Sequence, residues 1–326
     1  MVIDFAKEQA TILRQYAPNQ AITTNLMSTF TDFDHYKFAK EVGIDFATWD
    51  EYPLAGPSTF SWLSDAEMVD FLRTGLPDFQ ALNHALYRGV AGAAYGNLSG
   101  PFGVMEMQPG MLNWNQYRVA PWTGMVQLWT LETLAASGNM VNYFRWRQVP
   151  YAQEQTLSGL HISDGTADEG FDEVQTLVRE QLPKLKEAIT GEEPQADVAL
   201  IFDYTSVWVW AIEPYSGVWD VKTALNDNPG LNYLDLVYVF YSALRRLGLS
   251  IDIIGTDQPL DGYKMVVVPS LPIIPDTFNA SLASFNGPVV FGPHTGSKTA
   301  NFATVPGMNP TAGTCLLYTS PSPRDS

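Results

Sequence analysis

Short apolar runs alternate with helix-patterned stretches through residues 1–190, and this alternation restricts the possible fold more than any other feature of the sequence. It predicts a parallel sheet whose strands are joined by crossover helices. The four strand–helix units amount to half of an eight-unit barrel. The predicted strands are Ala21–Met27, Asp45–Trp49, Phe102–Met105 and Met140–Phe144, and the predicted helices are Val2–Tyr16, Phe33–Val42, Asp65–Phe71, Phe79–Ala94, Thr123–Ala136 and Phe171–Ile189. Ser64 is the expected cap of the third helix, and Gly43 and Gly138 are expected to end the second and the fifth.

Residues 191–313 continue the alternation and predict a second domain, an open α/β sheet of flavodoxin-like type. The segment Gly191–Pro194 is the expected boundary between the two domains. Because no glycine-rich loop follows the first strand of this domain, nucleotide binding is not expected. The predicted strands are Val198–Phe202, Ile251–Ile254, Met265–Val268 and Val289–Phe291, with a helix at Leu234–Leu247 that ends at Gly248.

The sequence leads to one expectation about its C-terminal end and one about its N-terminal end. Residues 314–326 break the pattern, and the run from Cys315 to Asp325 resembles the in-frame translation of a sequencing adaptor. We therefore expect these residues to be a scar and the native protein to continue beyond about Gly313. The first helix is already under way at Asp4, and we expect the first four strands of the barrel to be missing upstream.

Composition narrows the class of partner. The formal net charge is −17 and the pI is near 4.4, which argues against nucleic acids and anionic membrane surfaces. Cys315 is the only cysteine, so neither a disulfide framework nor a cysteine metal cluster is expected. We expect no metal, no other cofactor and a cytoplasmic location. Aromatic residues make up 13% of the chain and cluster between Phe30 and Trp146, which suits either a sugar-binding cleft or a large aromatic core.

Glu106 is the residue of most chemical interest, because it follows the apolar strand Phe102–Met105 where that strand emerges from the core. Barrel enzymes place their catalytic residues at the carboxyl ends of the strands. A carboxylate at such a place costs free energy unless it is paired, hydrogen-bonded or used. Arg145 and Arg147 at the next strand end are plausible partners. The position alone is compatible with a catalytic group and with a structural ion pair at the rim.

Four motifs in order resemble one family over residues 3–305. They are Thr24–Met27 (TNLM), Trp49–Pro53 (WDEYP), Val104–Gly110 (VMEMQPG) with Asn113–Trp114, and Tyr143–Gln148 (YFRWRQ) with Glu154–Gln155. These segments resemble strands five to eight of glycoside hydrolase family 42, the bacterial β-galactosidases. The resemblance implies the C-terminal half of a TIM barrel followed by a trimerisation-type α/β domain. It also implies a retaining enzyme that removes terminal β-D-galactose by double displacement, needs no cofactor and assembles as a homotrimer.

The same resemblance implies roles for five residues. Glu106 matches the nucleophile, and Tyr52 matches a tyrosine that can hydrogen-bond its carboxylate; the alternative for Tyr52 is an ordinary turn residue. Trp114 matches the tryptophan beside the galactose ring; the alternative for it is a core residue at the rim. Phe144 matches a subsite wall or packs in the core, and Glu154 matches a ligand of sugar hydroxyls or is a solvated loop residue.

Two departures from the family pattern limit what the resemblance implies. The acid/base of the family follows an asparagine at the end of strand four, and no such motif occurs upstream of Glu106. We therefore expect this chain alone to be inactive. Leu157 stands where the family usually has histidine, and His161 lies too far along the chain to replace it. One sugar contact is therefore in doubt.

Three other functions stay open at this point. The barrel could belong to another retaining glycosidase, such as a β-glucosidase or a mannanase, or serve as a non-catalytic sugar-binding or assembly module. An amidotransferase-like domain would need a nucleophilic cysteine, and the only one is Cys315.

The aromatic run Tyr204–Trp210, together with Trp219, could form a subunit contact or fill the core of the second domain. An open edge on a half barrel predicts aggregation or oligomerisation.

Overall fold

The computed structural model describes residues 1–59, 63–188, 196–213 and 232–305. The chain divides into two compact units. The first unit contains residues 1–95 and 99–195, and the second contains residues 96–98 and 196–326.

The first unit is built on four parallel strands in the order β1-β2-β3-β4. Consecutive strands are neighbours, and helices lie in every connection, which is how a TIM barrel is wound. The strands are β1 (Asn25–Leu26), β2 (Ala47–Glu51), β3 (Phe102–Met107) and β4 (Val141–Tyr143). The helices are α1 (Val2–Tyr16), α2 (His35–Val42), α3 (Gly56–Thr59), α4 (Asp65–Phe71), α5 (Pro77–Tyr95), α6 (Met125–Ala135), α7 (Glu169–Thr176) and α8 (Leu182–Ala188), with a 3-10 turn at Pro53–Ala55 and a π turn at Leu177–Gln181.

Local capping signals give the helix ends that the sequence predicts. Ser64 caps α4 through the backbone N–H of Glu67, and the Glu67 carboxylate returns to the backbone N–H of Ser64. Gly43 ends α2 with φ of 70°, a conformation that glycine adopts without steric cost. Both predictions are confirmed, and both bring the chain back toward the sheet at a defined residue.

Strand bounds in the first unit differ from the predicted ones. The Asp45 carboxylate accepts hydrogen bonds from Ile22 N at 2.5 Å and from Arg14 at 2.6 Å. The backbone N–H of Asp45 also donates to Ile22 O at 2.8 Å, but the regular strand pairing begins only later, at Asn25 in β1 and at Ala47 in β2. The predicted strand bounds Ala21 and Asp45 were therefore wrong.

Two predicted helices in this unit also differ from the structure, one at its end and one in its middle. Ser137, with φ of 71°, takes the left-handed position after α6, and the N–H of Gly138 then bonds to Thr133 O at 2.8 Å. The helix predicted over Phe171–Ile189 is interrupted by the π turn Leu177–Gln181. Pro183 has no N–H and its ring crowds the preceding turn, so the helix widens just before it.

The second unit is a parallel sheet in the order β6-β5-β7-β8, a doubly wound arrangement of flavodoxin-like type. Its strands are β5 (Val198–Ile201), β6 (Ile251–Ile254), β7 (Met265–Val268) and β8 (Val289–Phe291). Its described helices are α9 (Tyr204–Ile212), α10 (Tyr233–Arg246) and α11 (Asp276–Ser284). The pattern of the sequence predicted neither α9 nor α11.

The aromatic residues of α9 do not form one exposed surface. Tyr204 and Trp210 are buried, whereas Trp208 keeps 37% of its surface exposed. The Trp210 indole donates to Ser270 Oγ at 3.0 Å. A helix turns successive side chains in different directions, so an all-apolar run cannot place every aromatic residue at a subunit contact. For Tyr204 and Trp210 the core interpretation is confirmed.

Several predictions fall on residues outside the described ranges. These are the boundary Gly191–Pro194, Trp219, and the final segment 314–326 with Cys315. No helix within the described ranges is both long enough and apolar enough to cross a membrane.

Candidate active site

A cavity of about 590 Å³ opens at the carboxyl ends of β1, β2 and β3 in the first unit. Its wall comes from the segment after β1, from the end of β2 with the turn that follows, and from α5. The side chains of Asp50, Tyr52, Glu106 and Trp114 line it. The other lining residues are Met27, Ser28, Thr29, Phe30, Trp49, Glu51, Pro53, Ala55, Gly56, Ser58, Phe79, Gln80 and Asn83. The size suits a small organic ligand.

Glu106 lies near the end of β3 with a separate donor on each carboxylate oxygen. The Tyr52 hydroxyl donates a short hydrogen bond to Oε2, and Asn25 Nδ2 donates to Oε1 at 3.2 Å. The expected partners Arg145 and Arg147 do not pair with it in the described part of the chain. Arg145 pairs instead with Glu154, and Arg147 lies in a short bridge with His161. The rim ion pair proposed for Glu106 is therefore wrong, because a nearer carboxylate takes the arginine.

Asp50 is a second acidic group beside Glu106, and the sequence did not single it out. The register of β2 and β3 shifts between Trp49 and Asp50, so that Asp50 lies opposite Glu106. Asn25 Nδ2 donates to Asp50 Oδ1 at 2.9 Å and to Oδ2 at 3.2 Å. Burial and the charge of Glu106 raise the pKa of Asp50 to about 7, although the Asn25 hydrogen bond opposes the rise.

Tyr52 and Trp114 are held together at the mouth of the cavity. Their rings meet edge to face with centroids 5.2 Å apart, and Trp114 keeps 52% of its surface exposed. Burial, followed by the hydrogen bond to the Glu106 carboxylate, raises the pKa of the Tyr52 phenol well above its usual value. Tyr52 is therefore a donor at all ordinary pH values.

Buried amides fix the two loops that carry these rings. Gln108, directly after β3, accepts from Leu54 N at 3.1 Å and donates to Gly110 O at 2.6 Å. Asn115 donates to Leu54 O at 2.7 Å. The turn after Tyr52 and the loop that contains Trp114 are therefore tied to each other by hydrogen bonds that water does not reach.

Phe144 and Glu154 form a second group, centred on Arg145. The Arg145 guanidinium lies 4.6 Å from the centre of the Phe144 ring and forms an ion pair with the Glu154 carboxylate. Neither Phe144 nor Glu154 lines the cavity described above. The positive charge of Arg145 nevertheless acts on Tyr52, where it opposes the rise of the phenol pKa. The structure thus brings Tyr52, Glu106 and Trp114 together in one cavity. Phe144 and Glu154 are not among the residues that line it.

Leu157 and His161 lie apart from the cavity lining. Leu157 is buried, and its N–H bonds to Glu154 O at 3.0 Å. His161 packs between Trp146 and Phe171 with ring centroids at 4.4 and 4.6 Å. Position 157 therefore supplies packing rather than a polar contact, and His161 is held elsewhere by aromatic neighbours.

A buried polar network adjoins the cavity and includes two of its lining residues, Glu51 and Gln80. No signal in the sequence beyond the acidic motif of β2 predicted it. Glu51 is 1% exposed and accepts from Gln80 Nε2 at 2.9 Å and from Thr133 Oγ1 at 3.3 Å. His84 Nε2 lies 3.2 Å from the same carboxylate. These contacts join β2 to α5 and α6. Among the described residues, no group of three or more His, Cys, Asp or Glu side chains could hold a metal ion.

Two family models match the chain. Residues 1–184 match the glycoside hydrolase family 42 model, described as beta-galactosidase, and residues 196–316 match the beta-galactosidase trimerisation domain. The beta-galactosidase of Thermus thermophilus is 43% identical over 298 residues, which is 91% of this chain and 42% of that protein. BgaH of Haloferax lucentense is 32% identical over 300 residues, 91% of this chain and 41% of that protein.

Solved structures give the same result. The beta-galactosidase of Marinomonas ef1 aligns with a TM-score of 0.83 and 35% identity over 94% of this chain and 45% of its own. That of Halorubrum lacusprofundi aligns with a TM-score of 0.81 and 30% identity over 95% of this chain and 43% of its own. The chain thus spans less than half the length of these relatives. The predicted fold class, part of a TIM barrel followed by a flavodoxin-like trimerisation-type domain, is confirmed. The chain belongs to glycoside hydrolase family 42, the β-galactosidase family.

Proposed function

We propose that this chain carries the nucleophile half of a retaining β-galactosidase, with Glu106 as the nucleophile. The observation that supports the proposal is the Glu106 carboxylate itself. It lies in a cavity, holds one donor on each oxygen and has no cation pair among the described residues. A nucleophile must be oriented but not neutralised, and two hydrogen bonds from uncharged donors do that.

The chemistry of the family gives each residue a step. Glu106 attacks the anomeric carbon, the aglycone leaves with a proton, and a covalent galactosyl ester forms. Water then cleaves the ester and the configuration is retained. Tyr52 stabilises the carboxylate before attack and after release, and Trp114 offers an apolar face to the galactose ring. Glu154, held by Arg145, is proposed to bind sugar hydroxyls, with Phe144 beside it as a subsite wall.

The proton donor is proposed to lie outside this chain. No Asn-Glu pair occurs in the printed sequence, although the acid/base of the family follows an asparagine. Double displacement on an ordinary galactoside needs both carboxyl groups. We therefore expect the purified chain not to hydrolyse a p-nitrophenyl galactoside. Measurable hydrolysis would refute the missing-acid part of the proposal and leave the role of Glu106 intact.

A substrate that needs no proton donor tests Glu106 separately. With 2,4-dinitrophenyl 2-deoxy-2-fluoro-β-D-galactoside the leaving group departs unprotonated, and the fluorine slows hydrolysis of the ester. We expect a burst of dinitrophenolate, an increase in protein mass by one fluorogalactosyl group, and a label on Glu106 in peptide mapping. Glu106→Gln should give neither burst nor label, whereas Glu8→Gln on the exposed face of α1 should behave as the parent chain. A label on another residue would refute the assignment.

Binding without turnover is the second candidate function, and the exposed Trp114 ring at the cavity mouth favours it for a chain without the acid. Titration calorimetry with galactose distinguishes a binding module from an inert chain.

The second unit is proposed to assemble trimers, because its sequence matches the trimerisation domain of the family. Sedimentation equilibrium should give three times the chain mass, and a monomer would contradict trimer formation by this chain. For the domains we propose residues 1–190 for the half barrel and 191–313 for the second domain.

A further inference from the structure

One amide nitrogen joins three neighbouring strands at the carboxyl edge of the sheet. Asn25 on β1 donates through Nδ2 to both oxygens of Asp50 on β2, at 2.9 and 3.2 Å. The same nitrogen donates to Glu106 Oε1 on β3, at 3.2 Å. A side-chain amide carries two hydrogens on nitrogen, so one can serve Asp50 and the other Glu106.

The backbone creates this arrangement through a break in the regular register. Trp49 pairs with Val104, but the next residue, Asp50, pairs with Glu106, so β3 holds one more residue than β2 at this point. A bulge of this kind redirects a side chain, and bulges are common beside active sites. Its effect here is to place two carboxyl groups beside each other in one cavity. Like charges this close are unfavourable unless a donor lies between them or one is protonated.

We propose that Asp50 is a positioning residue that orients the nucleophile Glu106 through the amide of Asn25. This inference rests on the proposed function of Glu106. An amide group that rotates half a turn presents its oxygen instead of its nitrogen. Because Asp50 accepts hydrogen bonds, it favours the orientation in which the nitrogen faces both carboxyl groups. Without Asp50, the Asn25 oxygen could face the Glu106 carboxylate and repel it.

The groups around Asp50 determine the pH at which its carboxyl group gains or loses a proton. Among titratable groups, Glu106 on β3 acts on the pKa of Asp50, and Asp50 in turn acts on the pKa values of Tyr52, after β2, and Tyr87, on α5. The two phenols have raised pKa values and stay neutral at ordinary pH, so the charge that acts on Asp50 comes from Glu106. With a pKa of about 7, Asp50 gains or loses its proton near neutrality, and its strength as an acceptor for Asn25 changes with it.

A double-mutant cycle tests the route through Asn25. Labelling by the fluorogalactoside is measured for Asp50→Ala, Asn25→Ala and the double variant, with Asp164→Ala as an exposed control. We expect each single substitution to slow the first-order labelling step about 10- to 100-fold, with less than about a 3-fold change in the apparent dissociation constant. The double variant should be no slower than Asn25→Ala. Slowing factors that multiply would overturn the proposal, because Asp50 would then act by another route.

The conservative variant separates the hydrogen-bond acceptor from the charge. Asp50→Asn keeps an acceptor oxygen for the Asn25 amide, so labelling should stay within about 5-fold of the parent chain. It should also lose any pH dependence that has a midpoint near 7. If Asp50→Asn labels as slowly as Asp50→Ala, the positioning role is refuted.

A spectroscopic readout keeps the test independent of turnover. In the nitrogen–proton NMR spectrum, the side-chain amide signals of Asn25 are identified by their loss in Asn25→Ala. We expect these signals to shift with pH, with a midpoint near 7, and to be flat in Asp50→Asn. Signals that are flat in the parent chain would overturn the proposal. Failure of the parent chain to take the label would instead count against Glu106 as nucleophile, and the two failures are therefore distinguishable.

Discussion

The Tyr52 hydroxyl donates to Glu106 Oε2, although the two residues are 54 positions apart in the sequence. The contact depends on two parallel strands that end at the same edge of the sheet, because β2 ends just before Tyr52 and β3 ends one residue after Glu106. The raised pKa of the phenol keeps the proton on tyrosine, so Tyr52 remains a hydrogen-bond donor to this carboxylate at ordinary pH. The carboxylate therefore has one oxygen held firmly and the other held by the longer Asn25 contact.

Removal of the Tyr52 hydroxyl should slow attack by Glu106. Tyr52→Phe keeps the ring against Trp114 but leaves Oε2 without its donor, and a hydrogen bond to a charged acceptor contributes about 1.5–3 kcal/mol. We expect the labelling rate with the fluorogalactoside to fall about 10- to 100-fold, while the thermal midpoint changes little. Tyr151→Phe, at an exposed loop tyrosine, is the control. A normal rate in Tyr52→Phe would show that the contact has no catalytic role.

Trp114 should contribute to galactose binding and not to folding. Its ring lines the cavity with half its surface exposed, so Trp114→Ala removes an aromatic face without opening a core. We expect about a 10-fold loss of galactose affinity by calorimetry. Trp122→Ala is a matched control, because Trp122 is 55% exposed and contacts Arg73 outside the cavity lining. Equal losses in both variants would refute a specific role for Trp114.

Features encoded within a few residues were predictable from the sequence. Ser64 with Glu67 specifies the start of α4, and Gly43 specifies the end of α2, since each signal acts within one turn. The parallel sheet with crossover helices followed from the alternation of apolar runs and helix-patterned stretches. Glu106 and Tyr52 could be named by family resemblance. The resemblance also predicted the contact between them, which forms only because the fold brings the two strand ends together.

Features that depend on register or on competition between partners were not predictable. Asp50 meets Glu106 only because the register shifts between Trp49 and Asp50, and no local pattern signals that shift. Arg145 was expected at Glu106 but pairs with Glu154. The sequence could not rank these two carboxylates, because the choice depends on the path of the loop after β4. The buried partners of Glu51 come from two helices and were missed for the same reason.

The Glu51 network should be a major contributor to the stability of the first unit. Glu51→Ala leaves the amide of Gln80 without its buried acceptor and removes one acceptor of the Thr133 hydroxyl, and a buried donor left unsatisfied costs about 1–3 kcal/mol. We expect a clear fall in the calorimetric midpoint of one transition. Glu8→Ala, at an exposed position on α1, should change the free energy of unfolding by less than about 0.5 kcal/mol. An unchanged midpoint in Glu51→Ala would show that the network is energetically neutral.

His35 should make the first unit sensitive to acid. Its side chain is buried between Phe33 and Tyr87, with ring centroids at 4.9 and 6.0 Å. Burial lowers its pKa to about 4, although the hydrogen bond with the Phe30 backbone opposes the shift. The unfolded chain takes up a proton below its ordinary pKa near 6.5, whereas the folded chain does so only near 4. The contribution is therefore fully present above pH 6.5 and is lost as the pH falls toward 4.

The size of this effect and a packing control make the prediction testable. A shift from 6.5 to about 4 corresponds to about 3 kcal/mol of stability lost across that range. His35→Gln should therefore flatten the fall of the thermal midpoint between pH 6.5 and pH 4. Phe38→Leu removes buried volume from the same cluster but no titratable group, so its curve should lie below that of the parent chain and run parallel to it. If His35→Gln also runs parallel to the parent chain, His35 does not carry the acid sensitivity, and the prediction is wrong.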